Sequence, residues 1–165
     1  MNSKNRFHMD WVLINEIAIG PAPAKNKDLD ILEDNGIKVI FSLCSEKEKP
    51  MATEAKNRFE LFRNVLPDHT YSRLPQISEI IDTLDQISNL SKFGPIYIHC
   101  FAGIERSPII CMAWLIREKS LNFNDALEYL RQVHPETNPL PEQLILLKDN
   151  IINLKNSKEK LVNNI

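Results

Sequence analysis

This sequence is short and lacks the features of several protein classes. At 165 residues, 43% of them hydrophobic, it has no spare length for a second domain. Its formal net charge of −2 gives no electrostatic reason to expect nucleic acid or a membrane surface as its main partner. No internal repeat or low-complexity tract is visible. One compact globular domain is therefore expected.

The sequence also lacks recognisable targeting and membrane segments. Its beginning, MNSKNRFHMDW, has no apolar core of the kind found in a signal peptide, and no stretch approaches the ~20 apolar residues of a membrane span. Only three cysteines are present, which fits the reducing cytoplasm, where thiols stay free. We therefore expect a cytoplasmic protein.

What the sequence does contain is a loop of distinctive composition between a strand and a helix. Residues 99–107 are His-Cys-Phe-Ala-Gly-Ile-Glu-Arg-Ser. Residues 95–98 predict a short buried strand, and residues 108–117 predict an apolar helix with proline in its first turn. At such a junction successive backbone N–H groups can converge, and the helix adds the positive end of its dipole. The loop is therefore predicted to bind phosphate.

A thiol and a guanidinium stand at the two ends of this loop. The field that favours an anion also favours a thiolate at Cys100. Arg106 can donate two parallel N–H bonds to phosphoryl oxygens. The pattern predicts cleavage of a phosphate ester through a phosphocysteine, with Cys100 as nucleophile and Arg106 stabilising the transferring group. The alternative, a buried structural cysteine, leaves the surrounding arginine, glycine and histidine unexplained.

The other loop residues have supporting roles. Gly103 lets the backbone turn around an anion without a Cβ penalty. Ser107 can donate a hydrogen bond to the sulfur of Cys100 and make it a better leaving group in a second step, and His99 braces the loop from behind. The residues expected to bind phosphate are Phe101, Ala102, Gly103, Ile104, Glu105 and Arg106.

The loop resembles the HCxAGxxRS signature of the cysteine-dependent protein tyrosine phosphatase superfamily and is most similar to that of the small dual-specificity phosphatases. A Cys-x5-Arg pattern alone would be a weak signal, but this one stands between the expected strand and helix. The resemblance includes residues 16–21, 35–40 and 125–130 and spans roughly residues 11–154. Small arsenate reductases and low-molecular-weight tyrosine phosphatases place the motif near the N-terminus, unlike this chain.

The resemblance implies a general acid. Residues 66–69, Leu-Pro-Asp-His, look like the family's acid loop, in which Asp68 would protonate the leaving alcohol and then activate water. The alternative is a turn aspartate after proline. Asp82 and Asp85 could also serve as a general acid by residue type, but their positions fit the solvent-facing side of a predicted helix. His69 is expected to be an exposed loop histidine.

Cys44 has two interpretations that both stay open. It follows the predicted strand 37–43, and the carboxyl ends of parallel strands face the ligand crevice, so Cys44 is expected near Cys100. Residues 42–48 resemble a segment of the tensin-related lipid phosphatases, whose cysteine forms a disulfide with the nucleophile on oxidation; this implies a redox partner. The alternative is an inert cysteine at a strand end. Cys111 is expected in the core.

Alternating strand and helix signals predict an α/β fold. We expect a single-domain three-layer sandwich, with a mainly parallel central sheet of about four to five strands flanked by helices. The expected parts are an N-terminal extension (1–10), a phosphatase domain (11–154) and a polar C-terminal tail that frays (155–165). Within the domain we predict a hairpin at 11–19, helices at 27–36 and 46–58, a strand ending near 66, and helices from 78, at 122–133 and at 141–154.

The combined expectation is a monomeric phosphatase that needs no cofactor and no metal. The chain lacks the length for the added loops that deepen the phosphotyrosine pocket of larger relatives, so a shallow pocket should admit phosphotyrosine, phosphoserine and phosphothreonine of a phosphoprotein. Glu105 stands in the loop in which phosphoinositide phosphatases of the family carry lysines, which argues against such substrates. The alternatives are a phosphatase of an RNA 5′ end, a phosphorylated sugar or a lipid, and a non-catalytic phosphate-binding module.

Overall fold

The computed structural model describes residues 7–162, so residues 1–6 of the predicted extension and residues 163–165 of the predicted tail fall outside it. The strands are β1 (Asp10–Leu13), β2 (Ile17–Gly20), β3 (Val39–Ser42), β4 (Glu60–Arg63) and β5 (Ile96–His99). The α-helices are α1 (Asn26–Asp34), α2 (Ile77–Leu90), α3 (Arg106–Glu118), α4 (Phe123–Val133), α5 (Pro141–Asp149) and α6 (Ile151–Val162).

The five strands form one sheet in the order β1-β2-β5-β3-β4. β1 runs antiparallel to β2, and the other neighbouring strands are parallel. β5 lies at the centre, where its last residue, His99, pairs with Gly20 of β2 and Ser42 of β3. The loops after these three strands therefore leave the sheet at the same edge, which is where ligands bind in parallel α/β sheets.

Helices cover both faces of the sheet and confirm the predicted three-layer sandwich. α1 and a 3-10 turn (Thr53–Asn57) contribute to the core cluster on one face. On the other face α3 is the central helix and contacts α2, α4, α5 and α6. Residues 106–117 of α3 are all buried because this helix is apolar along most of its surface. Within residues 7–162, no helix is long and apolar enough to cross a bilayer.

The predicted helix over 46–58 is wrong. Ser45 accepts a hydrogen bond from the N–H of Glu48 (3.1 Å) and begins a single turn, which Lys49 closes on the Ser45 carbonyl. Pro50 follows and has no N–H with which to continue a helix. The segment between Leu43 and Thr53 is therefore a loop, and its acidic side chains bond with Arg63 at the end of β4 and Arg106 at the start of α3.

The single predicted helix over 141–154 is two helices, α5 and α6, separated at Asn150. The predicted polar tail from residue 155 is helical as far as Val162, because α6 continues to that residue. Leu154 is fully buried, and Lys158 Nζ lies 3.0 Å from Glu118 Oε2 at the end of α3. These contacts hold α6 against the domain, so the polar composition of residues 155–162 did not indicate a loose end.

Candidate active site

Cys100 directly follows the central strand β5, and α3 begins six residues later at Arg106. We call residues 100–105 the phosphate loop. Cys100 is only 3% exposed and lies in a cleft of about 810 Å³. The cleft is lined by Ser45, Lys47, Glu48, Asp68, His69, Thr70, Tyr71, Cys100, Phe101, Ala102, Ile104, Glu105, Arg106, Asn138 and Leu140.

The first half of the phosphate loop is held in place by hydrogen bonds to its carbonyl oxygens. His99 Nδ1 lies 3.0 Å from the carbonyl oxygen of Cys100. The N–H of Ala22 donates to the carbonyl oxygen of Phe101 at 3.1 Å. Burial lowers the pKa of His99 to about 4, so its imidazole is neutral at pH 7. A carbonyl can only accept, so the proton of this neutral ring is on Nδ1.

The second half of the loop is tied in the same way by residues that follow α4. The carbonyl oxygen of Gly103 lies 2.9 Å from Nε2 of the fully buried His134. The carbonyl oxygen of Ile104 accepts the N–H of Asn138, also at 2.9 Å. Four of the loop carbonyls are therefore bonded outward, to partners that surround the loop.

These outward carbonyls determine where the loop amides point. In a planar trans peptide the N–H is opposite the carbonyl oxygen. The N–H groups after the four tied carbonyls therefore point away from the surrounding partners, into the concave side of the loop. No acceptor within residues 7–162 satisfies the amides of Phe101, Ala102, Gly103, Ile104 and Glu105. Unsatisfied convergent donors beside a helix N-terminus form an anion site.

Gly103 is required at its position by both conformation and space. Its φ is +78°, the left-handed region that favours glycine. A Cβ built on it would lie 2.6 Å from the carbonyl carbon of Gly20 at the end of β2. The phosphate loop therefore packs against the β2 backbone too closely for any side chain at this position.

Arg106 is buried and its terminal nitrogens are already paired. Both donate to the carboxylate of Glu48, Nη1 at 3.1 Å and Nη2 at shorter range. Nη1 also donates to the carbonyls of Leu43 and Leu66, and Nη2 lies 3.4 Å from Asp68 Oδ2. The two N–H groups expected to bind phosphate therefore bond with protein acceptors in this structure. A buried guanidinium needs acceptors for its N–H groups, and the Nε–H of Arg106 has none among residues 7–162.

Glu48 was missed by the sequence analysis. Its carboxylate comes from the loop after β3, 58 residues before Arg106 in the chain. Burial would raise the pKa of Glu48, but the hydrogen bonds and charge of Arg106 outweigh it and hold the pKa below its usual range. The pair fixes the guanidinium at the edge of the cleft. The available signal was the pair of acidic residues, Glu46 and Glu48, in the segment 42–48 after a predicted strand.

Asp68 lies beside Arg106 and is 12% exposed as a side chain. Burial would raise its pKa, but hydrogen bonds from the Thr70 hydroxyl (2.6 Å) and N–H (2.9 Å), with the charge of Arg106, bring it below the ordinary value. The rivals Asp82 and Asp85 do not line the cleft. Asp85 instead pairs with the buried Arg117 of α3 at 2.5 Å.

Glu105 joins the acid loop to the phosphate loop. One carboxylate oxygen lies 2.9 Å from His69 Nδ1, and the other accepts Gln143 Nε2 at 2.9 Å. His69 is exposed, as expected, and its hydrogen bond with Glu105 raises its pKa above the ordinary value. The side chain of Glu105 therefore points to its neighbours on both sides of the cleft.

Ser107 and Cys44 both lie beside the phosphate loop. The Ser107 hydroxyl is buried and has no hydrogen-bond partner among the described residues, so the predicted bond to Cys100 is absent here. Cys44 is fully buried, and its Sγ lies 3.6 Å from Arg106 Nη2. Burial raises the pKa of Cys44 to about 12, against the opposing charge of Arg106. Cys44, Cys100 and Cys111 are free thiols.

Residues 19–150 match the family model "Dual specificity phosphatase, catalytic domain". The match covers most of the chain, which therefore belongs to this family. The resemblance stated from the phosphate loop and its neighbouring segments is confirmed.

Two similar proteins differ in what their names describe. Phosphatidylglycerophosphate phosphatase PTPMT2 of Arabidopsis thaliana is 27% identical over 134 residues, covering 81% of this chain and 59% of the relative. Dual specificity protein phosphatase 5 of Homo sapiens is 37% identical over 71 residues, covering 43% of this chain and 18% of the relative. The chain thus spans less than two thirds of the length of both relatives.

Solved structures share the fold. DUSP15 superposes with a TM-score of 0.78 at 24% identity, covering 95% of this chain and 96% of that one. PTPMT1, in complex with PI(5)P, has a TM-score of 0.75 at 20% identity, covering 91% of this chain and 97% of that one. The central sheet and its layers of helices are therefore those of known phosphatase structures.

Proposed function

We propose that this chain hydrolyses phosphate monoesters in two steps through a phosphocysteine on Cys100. The observation that carries the proposal is the set of outward-tied carbonyls in the phosphate loop. They direct the four amides that follow them, those of Phe101, Ala102, Ile104 and Glu105, toward the three non-bridging phosphoryl oxygens. Arg106 binds the same group, either through its free Nε–H or by exchanging Glu48 for phosphate.

In the first step, the Cys100 thiolate forms a bond to phosphorus and the bond from phosphorus to the ester oxygen breaks. Asp68 protonates the departing oxygen. The lowered pKa of Asp68 means that it is ionised before substrate binds. The negative charge of the bound phosphate raises that pKa, or a monoanionic phosphate brings the proton with it, so the carboxyl is protonated when the bond breaks.

In the second step, water attacks phosphorus and the S–P bond breaks. Asp68, now a carboxylate, takes the proton of the water. Ser107 donates its unpaired hydroxyl to the departing thiolate once negative charge develops on the sulfur. His99 positions Cys100 through the hydrogen bond between its Nδ1 and the Cys100 carbonyl oxygen.

The cleft favours a single phosphate on an apolar carrier. Glu48, Asp68 and Glu105 are acidic, against Lys47 and Arg106, so several phosphates on one substrate would be repelled. Phe101 and Tyr71 are about half exposed at the cleft. These features support phosphotyrosine as the main substrate, with phosphoserine and phosphothreonine admitted by the open cleft.

A lipid phosphate monoester is the second candidate. The exposed Phe101, Ile104 and Tyr71 surround the entrance to Cys100 and could contact acyl chains or a bilayer surface. The name of the Arabidopsis relative supports this class. Hydrolysis of a phosphotyrosine peptide should be compared with that of phosphatidylglycerophosphate in neutral vesicles. A higher kcat/KM for the lipid would reverse the preference proposed here.

The mechanism is tested with an aryl phosphate in EDTA. We expect turnover to disappear in Cys100→Ser and to persist in Cys111→Ser, the control for a buried cysteine outside the cleft. Acid-quenched reactions should show one phosphoryl group on Cys100 by mass spectrometry. Turnover that survives Cys100→Ser would show a different nucleophile, and a folded native protein that binds phosphate without turnover would be a binding module.

We also propose that Cys44 protects the nucleophile. A peroxide would oxidise Cys100 to a sulfenic acid, and Cys44 would then form a disulfide with it and release water. Cys44 Sγ lies 3.6 Å from Arg106 Nη2, beside the phosphate loop, although the raised pKa of Cys44 will slow the attack. Recovery by dithiothreitol after peroxide should be lost in Cys44→Ser. Equal recovery in both proteins would leave Cys44 an inert core cysteine.

A further inference from the structure

A second cluster of titratable side chains lies on the outer side of the phosphate loop. His8 and Asp10 stand at the start of β1, and His134 and Glu136 follow α4. His8 Nε2 is 3.6 Å from Asp10 Oδ2 and 3.4 Å from Glu136 Oε2. The rings of His8 and His134 stack with their centroids 5.9 Å apart. Two imidazoles and two carboxylates therefore face one another outside the catalytic cleft.

Both ring nitrogens of His134 face oxygen atoms of the protein. Nε2 lies 2.9 Å from the Gly103 carbonyl, which can only accept, so Nε2 carries a proton. Nδ1 lies 2.6 Å from the Asp10 carboxylate, which also only accepts. A lone pair on Nδ1 would repel that oxygen. A hydrogen bond removes that repulsion at the present 2.6 Å, and a metal cation could take the place of its proton once the two atoms move apart.

The donor set and its spacing fit zinc. Imidazole nitrogen and carboxylate oxygen bind Zn²⁺ at roughly 2.0–2.2 Å, which in a tetrahedron separates the ligand atoms by about 3.3–3.5 Å. The two distances from His8 are already close to that value. The Asp10 carboxylate would have to move away from His134 by roughly 0.8 Å on the same geometry. Its side chain is 29% exposed, which leaves room for that movement.

The surroundings of His134 also fit a metal ligand. A histidine that binds a metal typically donates its other ring N–H to a carbonyl or carboxylate, which fixes the tautomer. The Gly103 carbonyl is such a partner. His134 is fully buried, whereas the side chains of His8 and Glu136 are 38% and 51% exposed, so an ion can enter from solvent.

We propose that His8, Asp10 and His134, whose ligand atoms all lie within 4.8 Å of one another, bind a divalent transition metal of the zinc type, with Glu136 adding negative charge beside His8. The ion would replace the shared proton and leave the bond from His134 to Gly103 in place. Its effect is on the phosphate loop that this bond supports and on the stability of the fold. The chemistry at Cys100 does not use it.

The test measures metal binding to the full chain carrying Cys100→Ser. This substitution removes the thiol of the catalytic cleft, which could compete for the metal, and the protein is called the background protein below. Zn²⁺ titration by calorimetry should show one site, and Co²⁺ should give the absorption of a four-coordinate ion. We expect His8→Ala to weaken Zn²⁺ at least about tenfold and Glu136→Gln to weaken it less. His69→Ala is the matched control, an exposed histidine outside the cluster. Zn²⁺ should raise Tm in the background protein and not with His8→Ala.

Three results would overturn the proposal. They are the absence of one-to-one binding, binding that His8→Ala leaves unchanged, and binding that occurs only while Cys100 is intact. Each would mean that Asp10 and His134 share a proton. None of these measurements depends on turnover, so the outcome is independent of the proposed hydrolysis.

Discussion

The phosphate loop and the acid loop, the segment 66–74, border the same cleft but are held in different ways. The phosphate loop is tied through four backbone carbonyls to buried or backbone partners. The acid loop is held at its start, where the backbone of Leu66 bonds with Arg106 and Leu43, but it is exposed from His69 to Leu74 and is otherwise joined to the site through the side chains of Asp68 and His69. The difference indicates one preorganised anion site and one neighbouring segment that can move relative to it.

The largest expected effect comes from Gly103→Ala, which distorts the phosphate loop. The new Cβ would meet the Gly20 backbone at 2.6 Å in a left-handed conformation, so the loop has to shift. We expect kcat/KM for an aryl phosphate to fall about 1000-fold, because losing even one preorganised donor costs roughly 10²–10³. Gly36→Ala is the control: Gly36 also has a positive φ, but no atom lies near its Cβ. Turnover close to native in Gly103→Ala would contradict the rigid-loop description.

Asp68→Asn tests the acid loop and should cost less. General acid catalysis contributes roughly 10²–10⁴-fold, so we expect about a 100-fold fall in kcat for a phosphotyrosine peptide and a smaller fall for an ester with a better leaving group. The decline of kcat at high pH should vanish, because it reflects loss of the Asp68 proton in the complex. Asp82→Asn, at an exposed site on α2, should match the native protein. An unchanged pH profile in Asp68→Asn would remove Asp68 as the acid.

Local sequence predicted the phosphate loop well because its strand, loop and helix are contiguous from Pro95 to Arg117. It could not reveal partners brought from distant segments, such as Glu48 on Arg106 or His134 on Gly103. The failed helix over 46–58 has a related cause. Apolar spacing favoured a helix there, but Pro50 and the tertiary pairing of the acidic side chains with arginines decided the structure.

Glu48→Gln should have an intermediate effect, about tenfold on kcat. The amide keeps an acceptor for Arg106 but removes the charge that holds the guanidinium. Because the cleft also loses a negative charge beside the phosphate, KM should not rise. A raised KM with unchanged kcat would assign Glu48 to substrate binding instead.

Acid titration gives a second readout of the same pair. The depressed pKa of Glu48 means that its ion pair stabilises the fold above the ordinary carboxyl pKa, and that this stability is lost as pH falls through the lower folded value. Glu48→Gln should therefore reduce the dependence of Tm on pH in the range around and below pH 4. An identical dependence in both proteins would show that the pair contributes little to stability.

The smallest effect is expected from Glu105→Gln, which loosens the contact between the two loops. Glu105 raises the pKa of His69, so protonated His69 holds the acid loop most firmly below that pKa and releases it as pH rises. NMR titration should place the His69 pKa lower in Glu105→Gln. We expect kcat to change less than about threefold because the pair is exposed and screened. A His69 titration that does not move would show that the contact is absent in solution.

The balance of charge in the cleft has a consequence for how substrate arrives. Glu48, Asp68 and Glu105 face Lys47 and Arg106, so no strong positive field extends into solvent to attract a phosphate ester. Encounter then depends on unguided diffusion, and the second-order rate should vary little with ionic strength. Selection among phosphate esters is therefore made after contact, by the fit of the carrier against the apolar entrance and by the amides at its base.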